Sequence, residues 1–102
     1  MEIKEMQEKV HKWAEKHGGY WEPMNLLGRL TEETGEVARI MNSKFGQKKI
    51  RNPKNESELA EELADILIVI TALANTQKIN LEKALTKKLK KDLKANKGLY
   101  IK

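Results

Sequence analysis

The sequence contains no cysteine. Disulfides and thiolate metal sites are therefore excluded, and the chain suits a reducing, cytoplasmic setting. Long apolar runs are missing too. The longest, Ile66 to Ile70, falls far short of the ~20 residues a membrane-spanning helix needs. Met1-Glu2-Ile3-Lys4 lacks the apolar stretch of a signal peptide. No G-x-x-x-x-G-K-[ST] loop is present to cradle β and γ phosphates, and no helix-turn-helix pattern is evident. Histidine is scarce. His11 and His17 both fall in the first predicted helix, where each reads as a surface or helix-end residue rather than a metal ligand.

At 102 residues, the chain is long enough for one domain, residues 1–102, with one modest core. The net charge of +5 and the pI of about 9.4 permit anionic partners such as nucleotides or nucleic acids. The charge is uneven. Lys44, Lys48, Lys49, Arg51 and Lys54 cluster mid-chain, and Lys83, Lys87, Lys88, Lys90, Lys91, Lys94, Lys97 and Lys102 crowd the C-terminal part. A solvated face explains such runs as readily as a binding surface does.

Apolar spacing predicts an all-α fold of four helices, a four-helix bundle-like protomer. The first runs from Ile3 to His17, with Ile3, Met6, Val10 and Trp13 on one stripe, and Gly18-Gly19 stops it. The linker Tyr20-Trp21-Glu22-Pro23 leads into a second helix, from Met24 or Asn25 to Phe45, ending at Gly46. Gly28 and Gly35 within it read as points of close approach by a backbone or a ligand, or equally as sites of ordinary tight helix packing. Asn55 with Glu58 forms a capping pair for the third helix, which continues to Thr76. Asn80 caps a fourth, carrying Leu81, Leu85, Leu89 and Leu93 and ending near Asn96 to Gly98. The middle of the third helix, Ile66-Leu67-Ile68-Val69-Ile70, is apolar all round. Such a helix must be covered all round. A chain this small cannot do that alone, so self-association as a dimer or tetramer is expected.

Against this apolar pattern stand two acidic pairs. Glu33 and Glu36 are three residues apart, and so are Glu62 and Asp65; residues so spaced share a helix face. The first pair lies among Leu26, Leu30, Val37, Ile40 and Met41, the second among Leu59, Leu63, Ile66, Val69, Ile70 and Leu73. At about 100° per residue, Glu33 falls inside its apolar arc and Glu36 at its edge. Glu62 and Asp65 repeat that placement. Either pair alone reads better as surface acids paired with Lys or Arg; two pairs with the same spacing and the same place in the stripe favour a metal site. Burying all four demands compensation, since an unpaired buried carboxylate costs several kcal/mol. A hard divalent cation supplies it. Two helices packed antiparallel would set the four acids around one space. With no histidine near either pair, the all-oxygen donor set favours Mg²⁺, with Mn²⁺ as a substitute, over zinc or redox iron. Mg²⁺ held by few carboxylates usually serves substrate phosphates. Glu32, beside the first pair, is a spare carboxylate able to take a proton from an attacking water.

Glu32-Glu33-Thr34-Gly35-Glu36 matches E-E-x-x-E, and Glu62-Leu63-Ala64-Asp65 matches E-x-x-D downstream. Together they resemble the signature of the MazG-like all-α nucleoside triphosphate pyrophosphohydrolase superfamily, and the flanking text from Leu30 to Ala38 and from Leu59 to Leu67 is similar too. The resemblance implies Mg²⁺-dependent hydrolysis of a nucleotide between its α and β phosphates, giving a monophosphate and pyrophosphate. It implies Glu33, Glu36, Glu62 and Asp65 as metal ligands. It also implies phosphate contacts near the C-terminus, for which Lys91, Lys94 and Asn96 are candidates, although Lys97-Gly98 follows where the family often has arginine. Trp13, His17, Tyr20, Trp21 and Asn25 precede the acidic motif. Aromatics there can stack on a base, and Asn25 can bond its edge; core and loop packing are the ordinary alternatives.

Within the superfamily, the residues do not separate a broad nucleotide-pool enzyme from a phosphoribosyl-ATP, dUTP or dCTP pyrophosphohydrolase. A non-enzymatic basic nucleic-acid-binding protein, supported by the lysine-rich fourth helix, is the alternative from another class. Buried acids serve no purpose in such a protein, so a nucleotide substrate is expected and a nucleic-acid partner is not.

Overall fold

The structure, a computed structural model, describes residues 1–46 and 56–94. Among them are four helices, α1 (Ile3–Lys16), α2 (Pro23–Phe45), α3 (Glu56–Thr76) and α4 (Leu81–Lys94), and no strand. No helix among these residues is long and apolar enough to cross a membrane. The capping expected at Asn55 and the chain end from Asn96 to Gly98 lie outside the described residues.

Local chemistry sets most of the boundaries. α1 ends in a Schellman turn. The Gly19 N–H reaches the Ala14 carbonyl at 2.7 Å and the Gly18 N–H reaches Glu15. Both glycines take the left-handed conformation, at φ 97° and 103°, which costs other residues a Cβ clash. α2 begins one residue earlier than the sequence suggests, because Pro23 occupies the first turn, where its fixed φ is helical and its missing N–H is no loss. α4 starts where expected. The Asn80 side-chain oxygen accepts the Lys83 N–H at 3.0 Å, an N-cap bond.

α3 is the central element, packed most extensively by α2 and also by α1, which in turn meets α4. The buried side of α2 runs Leu26, Glu33, Ile40, Ser43, so a carboxylate sits two helical turns from each of two core aliphatics. From α3, Val69, Thr71, Ala72 and Ala74 are buried, and Ala14 comes from α1. Small residues there let the helix axes approach. Thr71, fully buried, donates its hydroxyl to the Leu67 carbonyl at 2.6 Å.

A polar clamp fastens α1 to the α3–α4 turn. Gln7 donates through Nε2 to Asn75 Oδ1 and the Ile79 carbonyl, and accepts the Leu81 N–H on Oε1. Asn75 donates in return to the Gln7 carbonyl and the Tyr20 hydroxyl. Tyr20 meets His11 Nδ1 at 2.9 Å, and His11 Nε2 meets Glu15.

Three expectations change. Leu63, Ile70 and Met41, placed by periodicity in buried stripes, are exposed in the protomer, as are Leu85 and Leu89 on α4. The stripe of α3 is wider than one α2 and one α1 can cover. Gly28 and Gly35 do not mark close packing within the chain, since a Cβ at either would meet nothing within 4 Å. Trp13 is not core; it is 62% exposed, and Trp21 is 60% exposed.

Candidate metal and nucleotide site

The α2–α3 contact brings Glu33, Glu62 and Asp65 together. Each offers a carboxylate oxygen within 4.8 Å of the others. Helical spacing explains this. Glu62 and Asp65 share the α3 face that meets α2, where Glu33 lies in the buried line. Glu33 is 5% exposed, and Glu62 and Asp65 are half-buried. Glu36, one turn further along α2, is also half-buried but its oxygens are not part of this trio.

Electrostatics at Glu33 are those of a crowded anion. Its carboxyl is pushed up from the usual 4.5 to about 7. The leading cause is a hydrogen bond with Glu62, which needs a proton between the two carboxyls. Burial adds to it, as do the negative charges of Glu62 and Asp65, while Arg29 pulls the other way. Glu33 Oε1 takes the Arg29 guanidinium at 2.9 Å. Its Oε2 is buried and meets no donor of the protein, so a proton or a cation must serve it. An all-oxygen trio in which Glu33 Oε2 and Glu62 Oε2 are both buried without a hydrogen-bond partner suits a hard divalent cation.

Two cavities share Arg29 as a wall, and the first of them also touches the trio through Asp65. One, of about 290 Å³, is mainly apolar and is walled by Trp13, His17, Tyr20, Trp21 and Val69, with Asp65 and Arg29 at its polar end. The His17 ring stacks on Trp13 at 4.6 Å between centroids, held there by a 2.8 Å contact between His17 Nδ1 and the Trp13 carbonyl. The other cavity, of about 390 Å³, is walled by Trp21, Asn25, Gly28, Arg29 and Glu32. Gly28 thus borders open space that a ligand can enter.

The expected site residues therefore divide. Trp13, His17 and Trp21 line the cavity that Asp65 borders, while Asn25 and Glu32 line the second cavity, which meets the first at Trp21 and Arg29. Lys91 is exposed on α4 and lines neither cavity. Lys94 lies at the end of α4, and Asn96 falls outside the described residues. Arg29 went unread in the sequence, though it stands four residues before Glu33, the spacing of an intrahelical ion pair. The Glu33 burial was legible; the cation beside it was the missing half.

The chain is similar in sequence and fold to known proteins. The family model of the MazG nucleotide pyrophosphohydrolase domain matches residues 22–96. The uncharacterised protein YpjD of Bacillus subtilis (strain 168) is 41% identical over 66 residues, covering 65% of this chain and 60% of that protein. The dCTP pyrophosphatase 1 of Rattus norvegicus is 34% identical over 80 residues, covering 76% of this chain and 45% of that protein. The match thus spans less than two thirds of either relative's length. Among solved structures, that of Bacillus subtilis YpjD aligns with a TM-score of 0.80 at 34% identity, over 89% of this chain and 94% of that one. The Bacillus-conserved MazG protein, a nucleotide pyrophosphohydrolase, aligns at 0.76 and 34% identity, over 89% and 88%. With its acidic motifs on facing helices and the family match covering most of its length, the chain belongs to the MazG nucleotide pyrophosphohydrolase family.

Proposed function

We propose that the protein hydrolyses a nucleoside triphosphate between its α and β phosphates, giving a monophosphate and pyrophosphate. The observation that carries this is a shared wall: Asp65 belongs both to the carboxylate trio and to the aromatic cavity. A nucleotide has the same two halves, an anionic phosphate chain and a flat apolar base. In this reading the base enters between Trp13, His17 and Trp21, where stacking on an aromatic face contributes about 1–3 kcal/mol. Asn25, which lines the second cavity beside Trp21, is the residue assigned to the base's polar edge where the base extends past Trp21. The phosphates lie toward the acids.

Glu33, Glu62 and Asp65 hold Mg²⁺, with Glu36 on the same α2 face as the fourth carboxylate. When bound, Mg²⁺ neutralises phosphate oxygen charge and lowers the pKa of a coordinated water. Glu32, 71% exposed along its side chain and in the wall of the second cavity, takes the proton as water attacks phosphorus. The similarity to dCTP pyrophosphatase 1 makes dCTP the first substrate to try. Leu63, Leu67 and Ile70, exposed along one line of α3, with Leu85 and Leu89 of α4, support self-association as a dimer or tetramer and burial of that surface.

A panel of ribo- and deoxyribonucleoside triphosphates assayed for pyrophosphate, with and without Mg²⁺, tests the reading. Release from at least one of them, abolished by chelation, is expected. No release from any would overturn it.

A further inference from the structure

Arg29 is the strong cation at the site that the reaction scheme leaves without a task. Its guanidinium forks over two acids of its own helix, Nη2 to the buried Glu33 at 2.9 Å and Nη1 to the exposed Glu32 at 3.5 Å. It is also 45% exposed along its side chain and lines both cavities. It therefore stands at their junction, next to the carboxylate trio. A cation that served Glu33 alone would have no need to border a cavity. Arg29 is paired to Glu33 and also lines both cavities, so its remaining N–H donors are within reach of a ligand there.

A guanidinium in that place has two anions within reach, a carboxylate and a phosphate. It suits both, since its planar fork matches two oxygens at once. What decides between them is the charge at the trio. A divalent ion among Glu33, Glu62 and Asp65 would take the Oε2 that Arg29 leaves unserved, neutralise the carboxylate's charge and repel the guanidinium, weakening its hold on Oε1. The incoming triphosphate brings the replacement anion.

We propose that Arg29 is a phosphate-binding residue of this site, held by Glu33 until a divalent cation claims that carboxylate and then turned to the phosphate chain of the nucleotide. The inference rests on the nucleotide reading given above. It makes Arg29 an opponent of the metal and a partner of the substrate. A residue that merely orients Glu33 would support both.

The test separates the two ligands. Mn²⁺ binding is measured by calorimetry without nucleotide on the wild type, Arg29→Gln and Arg29→Lys. The α,β-methylene analogue of dCTP, whose bridging carbon resists cleavage, is then titrated in saturating Mn²⁺ and followed by tryptophan fluorescence, since Trp13 and Trp21 line the cavities. Arg29→Gln is expected to bind Mn²⁺ severalfold more tightly and the analogue about tenfold or more weakly, the loss typical of a charge-assisted pair. Arg29→Lys keeps the charge without the fork and should fall between. Because it retains the ion pair to Glu33, it also serves if the glutamine variant folds poorly by circular dichroism. Weaker Mn²⁺ binding in Arg29→Gln, or unchanged analogue affinity, overturns the proposal while leaving the pyrophosphohydrolase reading intact. A wild type that binds neither Mn²⁺ nor the analogue overturns both.

Discussion

Helices α2 and α3 carry the same acidic spacing and put it to different use. On α2, the first acid of the pair, Glu33, is buried among Leu26 and Ile40, while Glu36 stays half-buried and outside the oxygen trio. On α3, Glu62 and Asp65 are both half-buried and both in the trio. Both helices also show apolar side chains to the outside of the single chain, Met24, Leu27, Met41 and Phe45 on α2 and Leu63, Leu67, Ile68 and Ile70 on α3. Spacing fixes which face an acid shares; its position within the apolar arc fixes how deeply it sits. One deep acid facing two shallower ones makes a cup open toward the cavities. Four equally deep acids would make a sealed and far more costly charge cluster.

The sharpest way to break this comparison is to neutralise the acids one at a time. Glu33→Gln, Glu62→Gln and Asp65→Asn should each lower Mg²⁺-dependent pyrophosphate release at least about 100-fold, with shape kept and ligand charge lost. Glu36→Gln should lose less, about tenfold, because its oxygens lie outside the trio. Near wild-type turnover in two or more of the four would remove the metal site from the account.

The outer face of α3 gives the next effect. Leu67→Glu, at a residue 53% exposed in the protomer, should convert an oligomer into smaller species in sedimentation velocity at micromolar concentration. A wild type that sediments as a stable, folded monomer would mean that α3 needs no cover.

A smaller effect follows from the depth of Glu33. Its carboxyl is raised to about 7, so the folded protein prefers it protonated. Its contribution to stability is complete below the ordinary 4.5 and is lost as pH rises through about 7. In chelator, the melting temperature should fall across that window. Glu33→Gln, which cannot lose a proton, should flatten the fall and melt higher at pH 8. A wild-type melting temperature that tracks the variant's between pH 5 and 7, with no steeper fall, would contradict the assignment.

The smallest effect concerns how the two helices end. α2 stops at Gly46, whose φ of −86° is ordinary. α3 ends with Lys78 in the left-handed conformation at φ 56°, closed by a 2.9 Å bond from the Ile79 N–H to the Ala74 carbonyl. Lys78→Gly removes the Cβ clash and should raise stability by about 0.5–1 kcal/mol in chemical denaturation.

Much of this was legible in advance, for a physical reason. Helix periodicity, the Gly18-Gly19 stop, Pro23 and the Asn80 cap are local features, and local features are written in adjacent residues. Glu33 was legible because an acid in an apolar arc has to be compensated. The Gln7–Asn75–Tyr20 clamp was not, since it joins residues 68 and 55 positions apart and no spacing rule reaches so far. Arg29 escaped because an arginine near two glutamates looks like any surface ion pair until the burial of one glutamate is known. Exposure of Leu63 and Ile70 depends on how many neighbours α3 has, which no property of α3 alone decides.

The central claim is that the trio and the aromatic cavity together cut a nucleotide at its α–β bridge. The most direct measurement is product analysis by mass spectrometry after incubating dCTP, or the best substrate of the panel, with the protein and Mg²⁺ in ¹⁸O-water. The account predicts monophosphate and pyrophosphate, with one ¹⁸O in one of them, from water attacking the α or β phosphorus. A diphosphate with labelled orthophosphate would mean γ cleavage and would contradict it, even with the metal bound where the acids place it.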